Sequence, residues 1–431
     1  MTLDLLRFTT AGSVDDGKST LIGRLLYDAK QVFEDQLAHV AQASERRGGE
    51  GTLDLALLTD GLRAEREQGI TIDVAYRYFA TAKRRFIIAD CPGHRQYTRN
   101  MVTGASTADV SVVLIDARRG VLEQSKRHAF ISALLGIPQM VVAINKMDLV
   151  DYSQERYQEL IEEFEEFAQK LRGGKNPRKT ATSYLPMSAL NGDNVVERSA
   201  RMDWYDGLPL LEWLEQVDVA YDHPDEKPAR FPVQWVIRPG AGVPDASLID
   251  YRGYSGQLAS GALRLGDEVT VLPSGARTRI AAIDTYDGEL AEAMAPMSLT
   301  LRLEDELDIS RGELICHPDE APAVARELEA DICWMTDELL RPGSRYLIKQ
   351  TSRSATAVID TIADMVDVHT LERMAAPQEL GLNDIGRVRL RTSAPLVFDP
   401  YASNRRTGSF ILIDESTNGT VGAGMIAAAA A

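Results

Sequence analysis

A glycine-rich loop near the start of the chain is its first chemically informative feature. In GSVDDGKST, four residues match the pattern G-x-x-x-x-G-K-[ST], between a strand-like run, LLRFTT, and a helical run, TLIGRLLYD. In such a loop the backbone N–H groups surround phosphates, the lysine adds a point charge and the hydroxyl ligates Mg²⁺. A chance glycine-rich turn is the alternative, and a match to this pattern should arise by accident in a chain of this size with a probability on the order of one per cent. The pattern therefore predicts nucleotide contacts from the whole loop: Gly12, Ser13, Val14, Asp15, Asp16, Gly17, Lys18, Ser19 and Thr20.

A second motif, DCPGH, follows the apolar run FIIA directly. An aspartate at this place ends a strand beside the phosphate loop, where it can hold Mg²⁺ through water. The Gly93 amide can contact a γ-phosphate, and this contact would be lost on hydrolysis. A lone histidine in a turn is more often a surface residue, so only the neighbouring motifs favour His94 as the group that orients the attacking water. We predict that Asp90, Cys91, Pro92, Gly93 and His94 line the site, with Cys91 present only as a small residue in a tight turn.

A third motif, NKMD, follows the buried-looking run MVVAI and comprises Asn145, Lys146, Met147 and Asp148. The Asp148 carboxylate can accept hydrogen bonds from N1–H and the 2-amino group of guanine, a pair that adenine cannot offer. A solvated turn is the alternative, which the order of the two preceding motifs disfavours. Downstream, in PMSALNGDN, we predict that the amides of Ser188, Ala189 and Leu190 meet the guanine carbonyl. The expected ligands are GTP and Mg²⁺.

Two further polar residues fit this site. Thr71, in the strand-like run around GITID, is predicted to complete the Mg²⁺ shell when GTP is bound, and an ordinary β-branched strand residue is the alternative. Asp15 sets a carboxylate near a triphosphate, and a monovalent or divalent cation between them would relieve the repulsion. The predicted catalytic residues are Lys18, Thr71, Gly93 and His94, and the predicted metal ligands are Ser19, Thr71 and Asp90.

The elements that must hold these motifs are strands alternating with helices. From about residue 6 to 190, the runs FIIAD, VSVVLID and MVVAIN alternate with helical patterns, which predicts an α/β P-loop domain with a mainly parallel sheet and helices on both faces. One helix is predicted from apolar residues at intervals of three and four: Tyr157, Leu160, Ile161, Phe164, Phe167 and Leu171.

The second half of the chain has strand-like runs bounded by turn residues. A proline-rich segment at 222–232 predicts a linker, and two sets of short strand-like runs follow it. We predict a nucleotide-binding domain over 1–225 and two all-β barrels over 226–325 and 326–431. The closing residues, IAAAAA, are expected to lie outside any folded element.

Composition limits the class of protein. The 431 residues carry a net charge of −17, which would repel a nucleic acid unless a basic patch were local. The three cysteines show no paired spacing, and neither a signal peptide nor a run of eighteen apolar residues occurs. We expect a soluble cytoplasmic protein with neither a nucleic-acid nor a membrane partner.

Several of these motifs resemble those of translational GTPases of the elongation factor Tu and 1A kind: the phosphate loop, GITID, DCPGH, NMVTGAS and NKMD. Other segments are more similar to the large, regulatory GTPase subunit of bacterial ATP sulfurylase (sulfate adenylyltransferase). They include TDGLRAEREQGITIDVAYRYF, RFPVQWVIRP, DYRGYSGQLASG, DELDISRGELI and NGTVGAGMI, and with the phosphate loop they span residues 12 to 425. That family more often has threonine where Cys91 stands.

The resemblance implies an elongation-factor-like architecture and a heterodimeric division of labour. A small catalytic subunit would join ATP and sulfate into adenosine 5′-phosphosulfate and pyrophosphate, while GTP hydrolysis on this chain drives the unfavourable step. The chain has a single phosphate loop and no SGGxDS-like loop for ATP, in keeping with that division. Some family members continue into an adenylylsulfate kinase domain, which leaves open that this chain is the N-terminal part of such a fusion.

Two other functions compete with this one. An elongation factor that delivers aminoacyl-tRNA would share the same motifs, and the acidic charge is only weak evidence against it, because tRNA carriers can also be acidic. A regulatory switch with no coupled reaction is the third candidate.

Overall fold

The computed structural model describes residues 4–30, 55–58, 71, 73–173, 180–218, 226–239, 250–367 and 370–430. The chain divides into two compact units, Met1–Tyr221 with Val368–Leu371 and Asp222–Asp367 with Glu372–Ala431. The first four residues of the predicted linker at 222–232 and most of the segment preceding Thr71 lie outside the described residues. The bounds of the three predicted domains stay predictions.

The first unit is built around a six-stranded sheet in the order β2-β3-β1-β4-β5-β6. All neighbouring strands are parallel except β2, which is antiparallel to β3. Its strands are β1 (Asp4–Gly12), β2 (Ala75–Ala80), β3 (Arg84–Asp90), β4 (Val110–Asp116), β5 (Gln139–Asn145) and β6 (Ala181–Pro186). Its helices are α1 (Lys18–Asp28), α2 (Thr98–Ala105), α3 (Glu123–Leu134), α4 (Gln154–Gly173) and α5 (Leu210–Gln216), with 3-10 turns at Leu55–Leu58, Arg95–Tyr97 and Met147–Val150.

Helices cover both faces of this sheet, as the sequence predicts. On one face, Val110 and Val112 of β4 are fully buried in a core that includes side chains of α1 and α5. Because side chains alternate along a strand, Ser111 points to the other face, where its hydroxyl hydrogen-bonds that of Ser132 of α3 at 2.9 Å. The α/β P-loop fold is therefore confirmed.

Helix α4 contains the predicted apolar residues. Tyr157, Leu160, Phe164 and Phe167 are buried, and the Phe164 ring meets that of Tyr184 in β6 edge-on, with 6.2 Å between ring centroids. Within the part of the chain that the structure describes, no helix is long and apolar enough to cross a membrane.

The second unit contains two β-barrels. The strands of the first are β7 (Phe231–Pro232), β8 (Trp235–Ile237), β9 (Gly253–Gln257), β11 (Glu268–Leu272), β12 (Ala276–Thr285), β13 (Gly288–Leu290), β15 (Ser298–Leu303) and β16 (Leu314–Cys316). In the same part of the chain, β10 (Ala262–Arg264) and β14 (Glu292–Met294) pair with each other as a separate two-stranded sheet. The strands of the second barrel are β17 (Ala323–Trp334), β18 (Arg345–Gln350), β19 (Arg353–Val366), β20 (Arg373–Ala375), β21 (Ile385–Phe398), β22 (Ser409–Ile413) and β23 (Thr420–Ala429), with a 3-10 turn at Pro318–Glu320 and a short helix, α6 (Arg405–Gly408).

Both sheets close on themselves. In the first barrel, the segment formed by β7 and β8 pairs with β16 on one side and with β9 on the other. In the second, the order β18-β22-β23-β17-β21-β19 is closed by pairing between β18 and β19. Closure removes the unpaired edges that would otherwise expose backbone groups.

The alanine-rich end of the chain corrects one expectation from the sequence. Residues Ile426 to Ala429 belong to β23 and pair with β17, with Leu328 opposite Ala429. Alanine favours helices in isolation, but pairing with a preformed strand supplies backbone hydrogen bonds that do not depend on side chains. The prediction that this end lies outside any folded element is wrong.

Candidate guanine-nucleotide site

The phosphate loop joins β1 to α1. It has glycines at two positions where the backbone conformation and the nearby atoms leave no room for a side chain. Gly12 and Gly17 have φ angles of 144° and 94°, which strain any side chain. A Cβ on Gly17 would also lie 2.4 Å from Nδ2 of Asn145, and one on Gly12 would lie 2.8 Å from the Leu114 oxygen. Helix α1 begins directly after Gly17, so its first N–H groups lie at the end of the loop, where a helix favours an anion.

The Lys18 ammonium lies against the backbone of this loop. Its Nζ donates to the carbonyl oxygens of Gly12 at 3.2 Å and Ser13 at 2.7 Å, and the side chain is buried. Burial lowers the pKa of Lys18, while the nearby carboxylates of Asp16 and Asp90 oppose that change. The charge therefore lies where the loop would surround phosphate oxygens.

The two aspartates of the loop have opposite environments. Asp16 is buried, and its Oδ2 accepts a hydrogen bond of 2.6 Å from the Ser13 N–H, while its buried Oδ1 has no partner among the residues that the structure describes. Burial raises the pKa of Asp16 to about 6, against the opposing attraction of Lys18. Asp15 is exposed, and Oδ2 of its carboxylate lies 3.9 Å from Nη2 of Arg119. That guanidinium offsets part of its charge, and the cation predicted beside Asp15 stays a prediction.

The structure brings the second motif against the first. Asp90 ends β3 opposite Thr10 of β1, whose hydroxyl donates to its carboxylate at 3.3 Å. Gly93 approaches so closely that a Cβ there would lie 2.5 Å from Nζ of Lys18 and 3.0 Å from the Gly12 oxygen. A γ-phosphate held by Lys18 would therefore lie within reach of the Gly93 backbone.

Three other predicted residues are placed as follows. The Cys91 thiol is buried 3.0 Å from the Thr9 hydroxyl, and burial raises its pKa to about 12, so the thiol stays protonated and unreactive. The His94 ring is half-buried and meets the Tyr97 ring edge-on, with 6.1 Å between centroids. Thr71 lies outside any helix or strand, because β2 begins only at residue 75, opposite the last residue of β3. The strand assignment for Thr71 is wrong, and its role as a metal ligand stays a prediction.

The third motif connects the phosphate loop to the base-binding segments. Asn145 ends β5. Its Nδ2 donates to the backbone oxygen of Asp16 at 2.8 Å, and its Oδ1 accepts from the backbone N–H of Ala189 at 2.9 Å. Oδ1 of Asp148 is buried and has no hydrogen-bond partner among the described residues. Leaving a buried acceptor unpaired costs about 1–3 kcal/mol, and the N1–H and 2-amino groups of guanine are donors that would satisfy it.

Hydrogen bonds already made by the backbone N–H groups of residues 188–190 show which of them is available to the guanine carbonyl. The Ser188 backbone N–H donates to the backbone oxygen of Asp193 at 3.1 Å, and the Ala189 N–H already donates to the Asn145 side chain. Leu190 is exposed, and its amide has no acceptor within the described part of the chain. Of the three predicted amides, that of Leu190 is the one left for a ligand.

Comparison with known proteins bears on the same segments. The family model for the elongation factor Tu GTP binding domain matches residues 3–224, and that for the GTP-eEF1A C-terminal domain-like family matches residues 327–427. The bifunctional enzyme CysN/CysC of Mycobacterium tuberculosis (strain ATCC 25618 / H37Rv) is 56% identical over 98% of this chain and 67% of its own length. Sulfate adenylyltransferase subunit 1 of Bacteroides fragilis (strain YCH46) is 52% identical over 98% of this chain and 86% of its own. The chain belongs to the sulfate adenylyltransferase subunit 1 (CysN) family.

Another member of this family, from Alteromonas mediterranea, is 51% identical over 98% of this chain and 87% of its own. The first unit is accordingly a GTP-binding domain of the elongation factor Tu type. A solved structure of sup35 complexed with GDP aligns over all of this chain and 95% of its own at 23% identity, with a TM-score of 0.44.

In this family member, Asp116 is a site residue that the sequence analysis missed. It ends β4 directly opposite Asn145 and is fully buried, with its Oδ2 2.7 Å from Nη2 of Arg118 and 3.0 Å from Nζ of Lys146. Burial alone would raise the pKa of Asp116, but hydrogen bonds from Arg118 and Lys146 outweigh it and hold the pKa well below its usual range. Nζ of Lys146 also donates to the backbone oxygen of Asp15. Lys146 therefore links Asp116, at the end of β4, to the phosphate loop. The run VSVVLID ends in aspartate as FIIAD does, which was a usable signal.

His128 of α3 is a second missed residue. Its Nδ1 accepts a hydrogen bond of 2.9 Å from the Gly12 N–H, and burial lowers its pKa to about 3, with nearby Lys18 and Arg127 adding to the effect. The imidazole is therefore neutral with its proton on Nε2, so the Gln124 side-chain amide 2.9 Å from that atom presents its oxygen as the acceptor. A polar side chain on the buried face of a helix was the only sequence signal.

Proposed function

We propose that this chain is the regulatory GTPase subunit of ATP sulfurylase. It would bind and hydrolyse GTP, while a partner catalytic subunit joins ATP and sulfate into adenosine 5′-phosphosulfate and releases pyrophosphate. The observation that carries the nucleotide part is the buried, unpaired Oδ1 of Asp148 in a segment tied to the phosphate loop by Asn145. The relatives named sulfate adenylyltransferase subunit 1 support the sulfurylase part.

Each group at the site would have a separate task in GTP hydrolysis. Lys18 neutralises charge on the β- and γ-phosphates, and the Gly93 backbone, already against Lys18, reports whether a γ-phosphate is present. His94 orients the attacking water. Asp148 selects guanine, because adenine offers no paired donors to a carboxylate.

Mg²⁺ fits the oxygen donors that this site offers. The Ser19 hydroxyl at the start of α1 and the Asp90 carboxylate at the end of β3 would hold it, with Thr71 joining when GTP is bound. Among the described residues no group of three or more His, Cys, Asp or Glu side chains forms a metal site, and Mg²⁺ is usually held by one or two carboxylates together with substrate phosphates and water. When bound, the ion would neutralise the charge that develops on the phosphates.

The partner would carry the ATP chemistry. The sequence has one phosphate loop, used here for GTP, and no second loop of the SGGxDS kind. A small catalytic subunit of ATP sulfurylase is therefore the expected partner, in a heterodimer or larger assembly. We place the pair in the cytoplasm, where the three free cysteines would remain reduced.

The deciding experiment mixes the purified chain with a candidate small subunit, ATP, GTP and sulfate, and measures pyrophosphate. Sulfate-dependent pyrophosphate that requires GTP is the expected result. GTP turnover with no sulfate-dependent pyrophosphate would instead favour a switch, and protection of the ester bond of aminoacyl-tRNA by the GTP-bound chain would favour an elongation factor.

The variant Asp148→Asn supplies a matched control for base recognition. An amide at this position can donate to the 2-oxo group of xanthine, so the preference should move from guanosine to xanthosine triphosphate. Pyrophosphate formation by the mixture should then fall by about tenfold or more with GTP, in line with the loss of 1.4 kcal/mol or more, and recover with xanthosine triphosphate. An unchanged base preference would refute the role given to Asp148.

A further inference from the structure

Two loops of the first unit must keep fixed relative positions if guanine is to be recognised both at its 2-amino group and at its carbonyl group. The aspartate loop, residues 146–153, carries Asp148, which faces the 2-amino edge in the proposed function. The amide loop, residues 188–194, carries Leu190, whose amide is left for the carbonyl edge. A shift of either loop by a fraction of an ångström would weaken one set of hydrogen bonds, since these are steep in distance and angle.

The Tyr152 hydroxyl joins the two loops and uses all of its hydrogen-bonding capacity. It donates to Oδ2 of Asp193 at 2.9 Å, and it accepts from Nδ2 of Asn191 at 3.2 Å and from Nη1 of Arg201 at 2.6 Å. A phenolic hydroxyl has one proton and two lone pairs, so every site is occupied. Two of its three partners belong to the amide loop.

The rest of Tyr152 is held as firmly as its hydroxyl. The Arg201 guanidinium carbon lies 5.4 Å from the ring centroid, within the range of a cation–π contact. Nε1 of Trp204 donates to the Tyr152 backbone oxygen at 3.1 Å. Asp151 and Tyr152 both adopt left-handed backbone conformations, with φ of 52° and 54°. Residues other than glycine are strained in this conformation and keep it only where the surrounding contacts impose it.

The amide loop has a second anchor on α1. Arg24 donates from Nε to the Ala189 oxygen at 3.2 Å and from Nη2 to the Leu190 oxygen. This anchor fixes the amide loop to the helix that follows the phosphate loop. Tyr152 then fixes the aspartate loop to the amide loop, in addition to the backbone bond between Met147 and Met187.

We propose that Tyr152, together with Asp193 and Arg201, is a positioning group that sets the selectivity for the guanine 2-amino group and the residence time of the nucleotide. Tyr152 lies outside NKMD and SAL, and it acts by holding Asp148 opposite the Leu190 amide. The inference rests on the proposed guanine readout.

The test compares Tyr152→Phe with the wild-type chain by measuring GDP dissociation rates and the affinities for GTP and inosine triphosphate, which lacks only the 2-amino group. Tyr152→Phe keeps the ring under Arg201 and removes the hydroxyl. We expect GDP release to accelerate about tenfold and the GTP-to-inosine triphosphate affinity ratio to fall several-fold. Arg201→Ala, which removes the cation and one donor, should change both quantities in the same direction.

Tyr184→Phe is the matched control, because it removes a hydroxyl that donates to Glu165 at 2.6 Å, on α4 and away from both loops. Its affinity ratio should equal that of the wild type. If Tyr152→Phe lowered both affinities by the same factor, or left the ratio and GDP release unchanged, the positioning role would be overturned. If the wild type itself bound inosine triphosphate as tightly as GTP, the readout by Asp148 would fail first and this inference with it.

Discussion

At the scale of single residues, the site contains charged and polar groups whose surroundings set what they can do. His94 follows Gly93, where an added Cβ would clash with Lys18, yet the His94 ring contact is to Tyr97. A group that acts on the attacking water should affect turnover and not binding.

We expect His94→Ala to leave GTP affinity within about twofold of the wild type and to slow hydrolysis about a hundredfold, the scale of a lost group that assists a water nucleophile. Single-turnover hydrolysis and equilibrium titration with GTP would measure the two quantities. Tyr97→Phe, which keeps the ring contact, is the control and should hydrolyse GTP normally. Weaker binding with unchanged turnover would make His94 a structural residue.

The buried carboxylate of Asp16 predicts a pH dependence of stability. Its pKa is raised from 3.8 to about 6, chiefly by burial, so its contribution to stability is full below pH 3.8 and is lost as the pH rises through about 6. At full effect that loss is about 3 kcal/mol. Asp16→Asn keeps an acceptor for the Ser13 N–H and carries no charge, so we expect the nucleotide-free chain to gain about 1–3 kcal/mol of stability at pH 7.5.

Thermal unfolding of the nucleotide-free chain between pH 5 and 8 would measure this gain, which should shrink as the pH falls. Asp15→Asn, at an exposed neighbouring carboxylate, is the control and should change little at any pH. A gain from Asp16→Asn that is equally large at pH 5 and pH 8 would mean that the carboxylate charge is not its source.

At the scale of elements, the sequence predicts those parts whose information is local. Strands β4 and β5 coincide with apolar runs because both faces of a parallel sheet are buried, which forces continuous hydrophobic residues. The phosphate loop and NKMD are recognisable because their roles depend on short fixed spacings after such strands.

Contacts between distant segments could not be predicted in the same way. His128 reaches Gly12 across 116 positions, and the Tyr152 hydroxyl meets Asp193 across 41, with no pattern linking either pair. Strand β23 was missed because alanines carry no period-two signal, and β17 alone supplies the template for them. What the sequence withheld was therefore tertiary pairing and not local preference.

At the scale of the molecule, the chain divides into two compact units, and buried polar contacts connect distant segments within the second unit. Arg230 precedes the first barrel and is buried, and its Nε and Nη2 each lie 2.9 Å from a carboxylate oxygen of Asp399, which directly follows β21 of the second barrel. The Thr407 hydroxyl donates to the same carboxylate at 2.6 Å. Nδ2 of Asn404 adds a hydrogen bond of 2.9 Å to the Ser260 hydroxyl.

Breaking this buried pair should damage the second unit alone. Asp399→Ala leaves the Arg230 guanidinium buried without its carboxylate, and such a change costs about 3–5 kcal/mol. We expect calorimetry to show a lower unfolding temperature for the transition that GTP does not stabilise, while the transition raised by GTP, and GTP affinity itself, stay unchanged. The double variant Arg230→Met, Asp399→Leu should recover much of the loss, because it removes both charges and keeps apolar volume. Loss of GTP binding in Asp399→Ala would show instead that the two units depend on each other for folding.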